Sequence, residues 1–140
     1  MKKRVAVILN AENEILLLQR IRHGAEYWVI PGCGMENGDS LTECAIRELK
    51  EELECEVHDN QLVFFCELEN QGREETYYWC NIAKKHFVIS GEEAERSNQD
   101  NIYIPTWVQI DELAYINLKP DVLKKLIIKK TQVEDEQQRI

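Results

Sequence analysis

Arg47-Glu48-Leu49-Lys50-Glu51-Glu52, preceded by Pro31-Gly32-Cys33-Gly34-Met35-Glu36-Asn37-Gly38-Asp39-Ser40, is the stretch that decides how this chain folds. On a helix, at about 100° per residue, Glu48, Glu51 and Glu52 are related as i, i+3 and i+4. They then fall within roughly one third of the circumference. Like charges so placed repel by about 0.2–0.5 kcal/mol per pair. A hard cation such as Mg²⁺, which takes oxygen ligands, relieves that repulsion. The alternative is an acidic solvated face, since Glu is a good helix former.

The start of the helix is signalled separately. Ser40-Leu41-Thr42-Glu43 has the spacing of a capping box, with Ser40 placed to accept from the backbone N–H of Glu43, so the sequence predicts a helix from Leu41. From there Thr42, Ala45, Ile46, Leu49 and Leu53 form an apolar stripe, and Glu43, Arg47, Lys50 and Glu54 lie on the far side. The three carboxylates occupy the boundary between the two, anchored by a buried face and open on one flank.

Residues 33 to 55 resemble the signature of the Nudix hydrolases: a glycine, five residues, Glu, seven residues, then Arg-Glu-aliphatic-x-Glu-Glu-x-Gly-aliphatic. Arg47 to Glu52 fits the second half without a mismatch, and Asp39 stands where the family has Glu. Cys33 replaces the first glycine, flanked by Gly32 and Gly34, and Glu54-Cys55 replaces the closing glycine and aliphatic residue. None of these departures removes a metal ligand. The resemblance implies an α/β fold, a Nudix-type α/β/α sandwich around a mixed, largely antiparallel sheet. It implies Mg²⁺, with Mn²⁺ as a substitute, held by Glu48, Glu51, Glu52 and the Gly32 carbonyl. Such a site hydrolyses a phosphoanhydride bond in a nucleoside diphosphate linked to another moiety: a nucleoside triphosphate, ADP-ribose or a nucleotide sugar. The alternative is a Nudix-fold sensor that binds its nucleotide without cleaving it. The same resemblance implies a further carboxylate from a later loop, where Glu93 is preferred over Glu92 and Glu95, with a solvated acidic loop as the alternative. Arg47 is expected to position a carboxylate such as Asp39 or Glu51. Gly34 and Gly38 let the loop approach phosphates, and Glu36 faces either the site or solvent.

Substrate contacts outside the signature are harder to read. Arg22, His23 and Tyr27 precede the loop and are candidates for a phosphate or a base. Tyr77 and Trp79 share one strand face, as core or pocket wall, while Trp28 and Trp107 read as core.

Composition fits one globular domain over residues 1–140, with a mobile tail at 131–140: of 140 residues, 44% are hydrophobic and 31% charged. The apolar run Val5 to Leu9 is too short for a signal peptide, and no stretch can span a bilayer. Five cysteines form no Cys-x-x-Cys pair and are odd in number, so reduced thiols in a cytoplasm are expected rather than a disulfide framework. A net charge of −9 disfavours a nucleic-acid polymer as partner. It also requires that cations reverse the local sign before a pyrophosphate can approach the carboxylates. The expected partner is a small nucleotide derivative, with the oligomeric state open and a homodimer allowed.

Periodicity and turn signals predict strands over 4–9, 15–20, 56–69, 75–83 and 102–110, while the run 27–30 leads into the glycine loop. They predict a helical turn from Asp111 and a second helix over 121–130.

Overall fold

A computed structural model describes residues 2–36, 38–91, 94, 98 and 101–138. The chain opens with a hairpin of β1 (Lys2–Ala11) and β2 (Glu14–Arg22). The turn is the pair Glu12-Asn13, whose φ angles of 53° and 63° give the two-residue, left-handed geometry that matches strand twist. The run Val5 to Leu9 is buried on both faces of β1. That explains its continuous apolar character where a half-exposed strand would alternate.

Beyond the turn, β1 and β2 part. They pair only at Asn10↔Ile15 and Ala11↔Glu14. From Leu18 onward the free edge of β2 is taken by β3 (Ala25–Val29), while β1 takes β4 (Gly32–Gly34) at Arg4 to Ala6. The segment β3-Ile30-Pro31-β4 thus fills a V between the two diverging strands. The other edge of β2 carries β7 (Asn101–Gln109), and β1 runs parallel to β6 (Arg73–Asn81), which forms a hairpin with β5 (Val63–Asn70). The sheet is mixed, with β1–β6 its parallel pair and the other pairings antiparallel.

Helix α1 (Leu41–Leu53) covers one face and buries Cys44, Ala45, Leu49 and Leu53 against Val5, Val7, Leu9 and Leu16. A 3₁₀ segment, Ile110–Tyr115, and helix α2 (Val122–Gln138) cover the other, where Leu113, Leu123 and Ile127 pack on Ala6, Ile8, Tyr77 and Trp79. This is the expected α/β/α sandwich. Tyr77 and Trp79 do share a buried face, and Trp28 and Trp107 pack half-buried on opposite cores.

Three expectations need correction. Strand β5 begins at Val63 rather than Glu56. Cys55 and Val57 go into the core directly after α1, and the polar Asp59–Gln61 then forms a 3₁₀ turn before the chain can pair. Helix α2 continues past Lys130 to Gln138, into the segment expected to be a tail; Lys130 pairs with Glu134 one turn on, and the Thr131 hydroxyl donates to the Ile127 carbonyl. Finally, Cys33 and Cys44 form a disulfide, because pairing of β4 with β1 turns Cys33 toward the first turns of α1. Cys55, Cys66 and Cys80 are free, as expected. Among the described residues, no helix is long and apolar enough to cross a membrane.

Candidate active site

The loop between β4 and α1 is fixed at both ends. At its start, any side chain on Gly32 would place a Cβ 2.3 Å from the Val5 carbonyl oxygen and 2.8 Å from Ala6 Cα. Only glycine permits β4 to lie this close to β1. The Pro31 carbonyl accepts from Val7 N at 3.0 Å and the Lys3 carbonyl from Met35 N at 2.9 Å, which pins the loop to β1 on either side of Gly32. At its end, Ser40 has extended backbone angles and its hydroxyl accepts from Glu43 N at 3.2 Å, so α1 starts at Leu41 as the capping signal predicts.

Between these anchors, Arg47 donates to both oxygens of Asp39, at 3.1 and 2.8 Å. The shorter Asp39 therefore reaches where a Glu was the family pattern. Gly38, with φ of +89°, takes a conformation that side chains disfavour and brings Asp39 to the helix. The paired guanidinium holds the Asp39 carboxyl below its usual range, and Asp39 in turn raises the Arg47 pKa. Both groups stay ionised through ordinary pH.

Glu48 and Glu52, one turn apart and half-buried, line a cavity of about 20 Å³ with Leu18, Pro31, Gly32 and Ile89. That volume holds roughly one water-sized species. Glu51 is exposed and is not part of that lining. Among the described residues, no three His, Cys, Asp or Glu side chains are close enough to form a ready-made metal cage. Glu48 and Glu52 share that lining with Gly32, and carboxylate and carbonyl oxygens are the donors that suit a hard divalent cation.

Two residues that sequence reasoning missed complete the rim. Ser90 ties the following loop to the end of α1: its N–H donates to the Glu52 carbonyl at 2.7 Å and its hydroxyl to the Glu51 carbonyl at 2.6 Å. Gly91, with φ of +67°, lies against the Glu52 carboxylate, where an added Cβ would stand 3.0 Å from Oε1. The signal available was the Ser-Gly pair interrupting an apolar run ahead of the acidic residues. Glu92, Glu93 and Glu95, the candidates for a further carboxylate, lie outside the described residues.

Arg22, His23 and Tyr27 are brought together elsewhere, in the V between β1 and β2. There they line a cleft of about 900 Å³ with Arg4, Arg20, Arg73, Glu75 and Lys119. Leu18 of the small cavity and Arg20 of the large one sit two residues apart on β2, so the spaces are neighbours along one strand. Gly34 and Glu36 are exposed and line neither space; the Glu36 carbonyl accepts from Asp39 N at 3.3 Å. Glu75 is buried at the cleft floor, accepting from Tyr77 Oη at 2.7 Å and pairing with Arg73 at 3.0 Å.

Comparison with known proteins adds three findings. A family model described as NUDIX domain matches residues 2–128. An uncharacterized Nudix hydrolase, YvcI of Bacillus subtilis, is 40% identical over 55 residues, 39% of this chain and 34% of its own length. An RNA pyrophosphohydrolase of Orientia tsutsugamushi is 34% identical over 64 residues, 46% of this chain and 37% of its own. The matches thus span about a third of the length of these curated relatives. Among solved structures, a MutT from work on Aliivibrio salmonicida and Vibrio cholerae superposes with a TM-score of 0.71 at 21% identity, covering 92% of this chain and 98% of that one. An Ap4A hydrolase of C. elegans gives 0.67 at 18% identity, covering 97% and 99%. At such identities the structures attest the shared fold.

Proposed function

The chain belongs to the NUDIX family, and from that membership we propose that it hydrolyses a phosphoanhydride bond in a nucleoside diphosphate linked to another moiety, with Mg²⁺ or Mn²⁺ as cofactor. The observation that supports this reading is that Glu48 and Glu52 line one ion-sized space with Gly32, next to a cleft lined by cations. Its neighbours in fold and sequence include proteins named for pyrophosphate and Ap4A hydrolysis, which supports the same reaction class.

In this reading Glu48, Glu52 and the Gly32 carbonyl hold the cation, and Glu51 adds a carboxylate from the solvent side. The bound cation supplies charge neutralisation at the phosphates and a lowered pKa for the attacking water. The remaining work belongs to the chain. Arg47 and Asp39 fix the loop to α1, so that Gly32 and the glutamates keep one spacing. Ser90 holds the start of the next loop against the end of α1, and Glu93, three positions later in the sequence, is our candidate for an additional base or ligand. Arg4 and Arg20 face the anionic substrate in place of the protein's net negative charge.

The test is hydrolysis of nucleoside triphosphates, ADP-ribose and nucleotide sugars with Mg²⁺, Mn²⁺ and EDTA, products identified by mass. Glu48→Gln and Glu52→Gln are each expected to lower kcat by at least about a hundredfold, or ~2.7 kcal/mol in barrier, in folded protein. Rates within threefold of the parent, or full activity in EDTA, would overturn the assignment.

A further inference from the structure

Cys33, Cys44, Cys55 and Cys80 all lie in the core on the α1 side of the sheet, and the two that are joined, Cys33 and Cys44, sit beside the cation space. Cys33 follows Gly32 directly on β4. Cys44 precedes Glu48 by four residues on α1, as Glu48 precedes Glu52, so the three share one row of the helix. The Cys33–Cys44 bond therefore ties the strand that carries Gly32 to the helix row that carries the two glutamates lining the same space.

The two sides that it joins are held differently. Strand β4 is backed against β1. The Val5 carbonyl oxygen leaves no room for a Cβ on Gly32, and the Pro31 carbonyl and the Met35 N–H bond to Val7 and Lys3 of β1. The start of α1 is anchored to the loop that leads into it, by the Ser40 cap on Glu43 N and by the Arg47–Asp39 pair, both exposed. To the apolar packing of Ala45 and Leu49, the Cys33–Cys44 bond adds a covalent tie from this end of the helix to the sheet.

Opening the bond gives the helix a second resting position. As thiols the two sulfurs separate to non-bonded contact and, with β4 pinned to β1, the displacement falls on α1. Cys44 then carries an S–H, a weak donor, and its sulfur lies 3.8 Å from the Gly34 carbonyl oxygen, which can accept it. Glu48 stands one turn along from Cys44 and shifts with it. Cation binding is sensitive to such a shift, since Mg²⁺ demands near-ideal octahedral geometry at about 2.0–2.1 Å.

Building on the cation site of the hydrolase reading, we propose that Cys33 and Cys44 are a positioning pair whose oxidation state sets cation affinity. The disulfide holds Glu48 and Gly32 in binding register, and a dithiol reductant loosens them. In that step a thiolate of the reductant attacks one sulfur, and the other leaves as a thiolate and is protonated. The second thiol of the reductant then frees the attacked sulfur. The S–S bond of the protein is replaced by two S–H groups, and the reductant closes to a cyclic disulfide. Cys33, 7% exposed beside the fully buried Cys44, is the side open to attack.

The experiment compares the whole protein after oxidation by glutathione disulfide and after reduction by dithiothreitol, each desalted without air and its Cys33–Cys44 link checked by peptide mass. Mn²⁺ affinity is read from the electron paramagnetic resonance of the free ion. The oxidised form is expected to bind about tenfold more tightly than the reduced form. Cys33→Ala and Cys44→Ala, made separately, are each expected to bind like the reduced parent and to ignore the reductant. Equal affinity in the two forms of the parent, failure of the link to form, or a full reductant effect in both variants would overturn the proposal. The last result would assign the effect to Cys55, Cys66 or Cys80. Amide hydrogen exchange without metal gives an independent reading, with residues 44 to 48 expected to exchange at least tenfold faster in the reduced parent. Absence of Mn²⁺ binding by either form would remove the cation site itself, whereas unchanged exchange rates would overturn the tie whatever the metal does.

Discussion

At the scale of single residues, Asp39 shows how a departure from a family pattern is absorbed. One methylene is missing, and the loop supplies the reach through the left-handed Gly38. The hydrogen bond from Arg47 holds the Asp39 carboxyl below the ordinary aspartate range. A folded-state pKa below the unfolded one means that the contribution to stability is present above the unfolded value and is lost as pH falls through the folded one. The loop should therefore stay locked at neutral pH and loosen only in acid. Carbon-detected NMR titration is expected to give an Asp39 midpoint below the ordinary aspartate range, returning toward that range in Arg47→Gln; an unshifted midpoint in the parent would contradict the ion pair. Arg47→Lys should weaken the lock as well, since an ammonium cannot match both carboxylate oxygens. The free thiols give a second residue-scale prediction. Burial pushes Cys66 and Cys80 each up to about 11 and raises Cys55 as well. Because the thiolate is the nucleophile, iodoacetamide at pH 8 should label these three at least tenfold more slowly in native than in urea-unfolded protein, read by mass spectrometry.

At the scale of elements, α1 ends on an unusual residue. Glu54 takes φ of 53° and ψ of 33°, the left-handed cap conformation, with its N–H still bonded to the Lys50 carbonyl at 3.0 Å. A side chain there costs about 1–2 kcal/mol relative to glycine. Glu54→Gly is expected to raise Tm by a few degrees, and an unchanged or lower Tm would show that the cap is held by something else. Both ends of this helix were legible in the sequence. Ser40 and the stripe to Leu53 act through local geometry, which spacing alone encodes. The early start assigned to β5 shows the limit: Cys55 and Val57 alternate like a strand, but they are core plugs under α1 that join no strand ladder among the described residues. Alternation reports burial on one side, and a ladder also needs a partner. The Cys33–Cys44 disulfide was hidden for a related reason, since it depends on β4 joining β1 across the sheet. The tightness at Gly32 is likewise a contact with β1, visible only once the register is known.

At the scale of the whole molecule, a net charge of −9 surrounds a cleft holding four cations that have no carboxylate partner among the described residues. Attraction of an anionic substrate should then fade with salt, since the screening length falls from about 10 Å at 0.1 M to about 3 Å at 1 M. KM for a nucleoside triphosphate is expected to rise severalfold between 0.05 and 0.5 M KCl, with kcat nearly constant; a flat KM would mean that the cleft does not steer the substrate. The same architecture sets an order of assembly. β1 is the hub of the sheet, yet its parallel partner β6 lies about seventy residues later, from Lys2↔Arg73 to Asn10↔Asn81. Closing so long a loop is an entropic cost that must precede the contacts rewarding it. During synthesis the first strand therefore leaves the ribosome with one edge of its sticky apolar run unpaired, and the contacts with β2, β4 and α1 leave that edge open until residue 81 has emerged. A nascent chain stalled before Arg73 should be a chaperone client, and one stalled well past Asn81 should not.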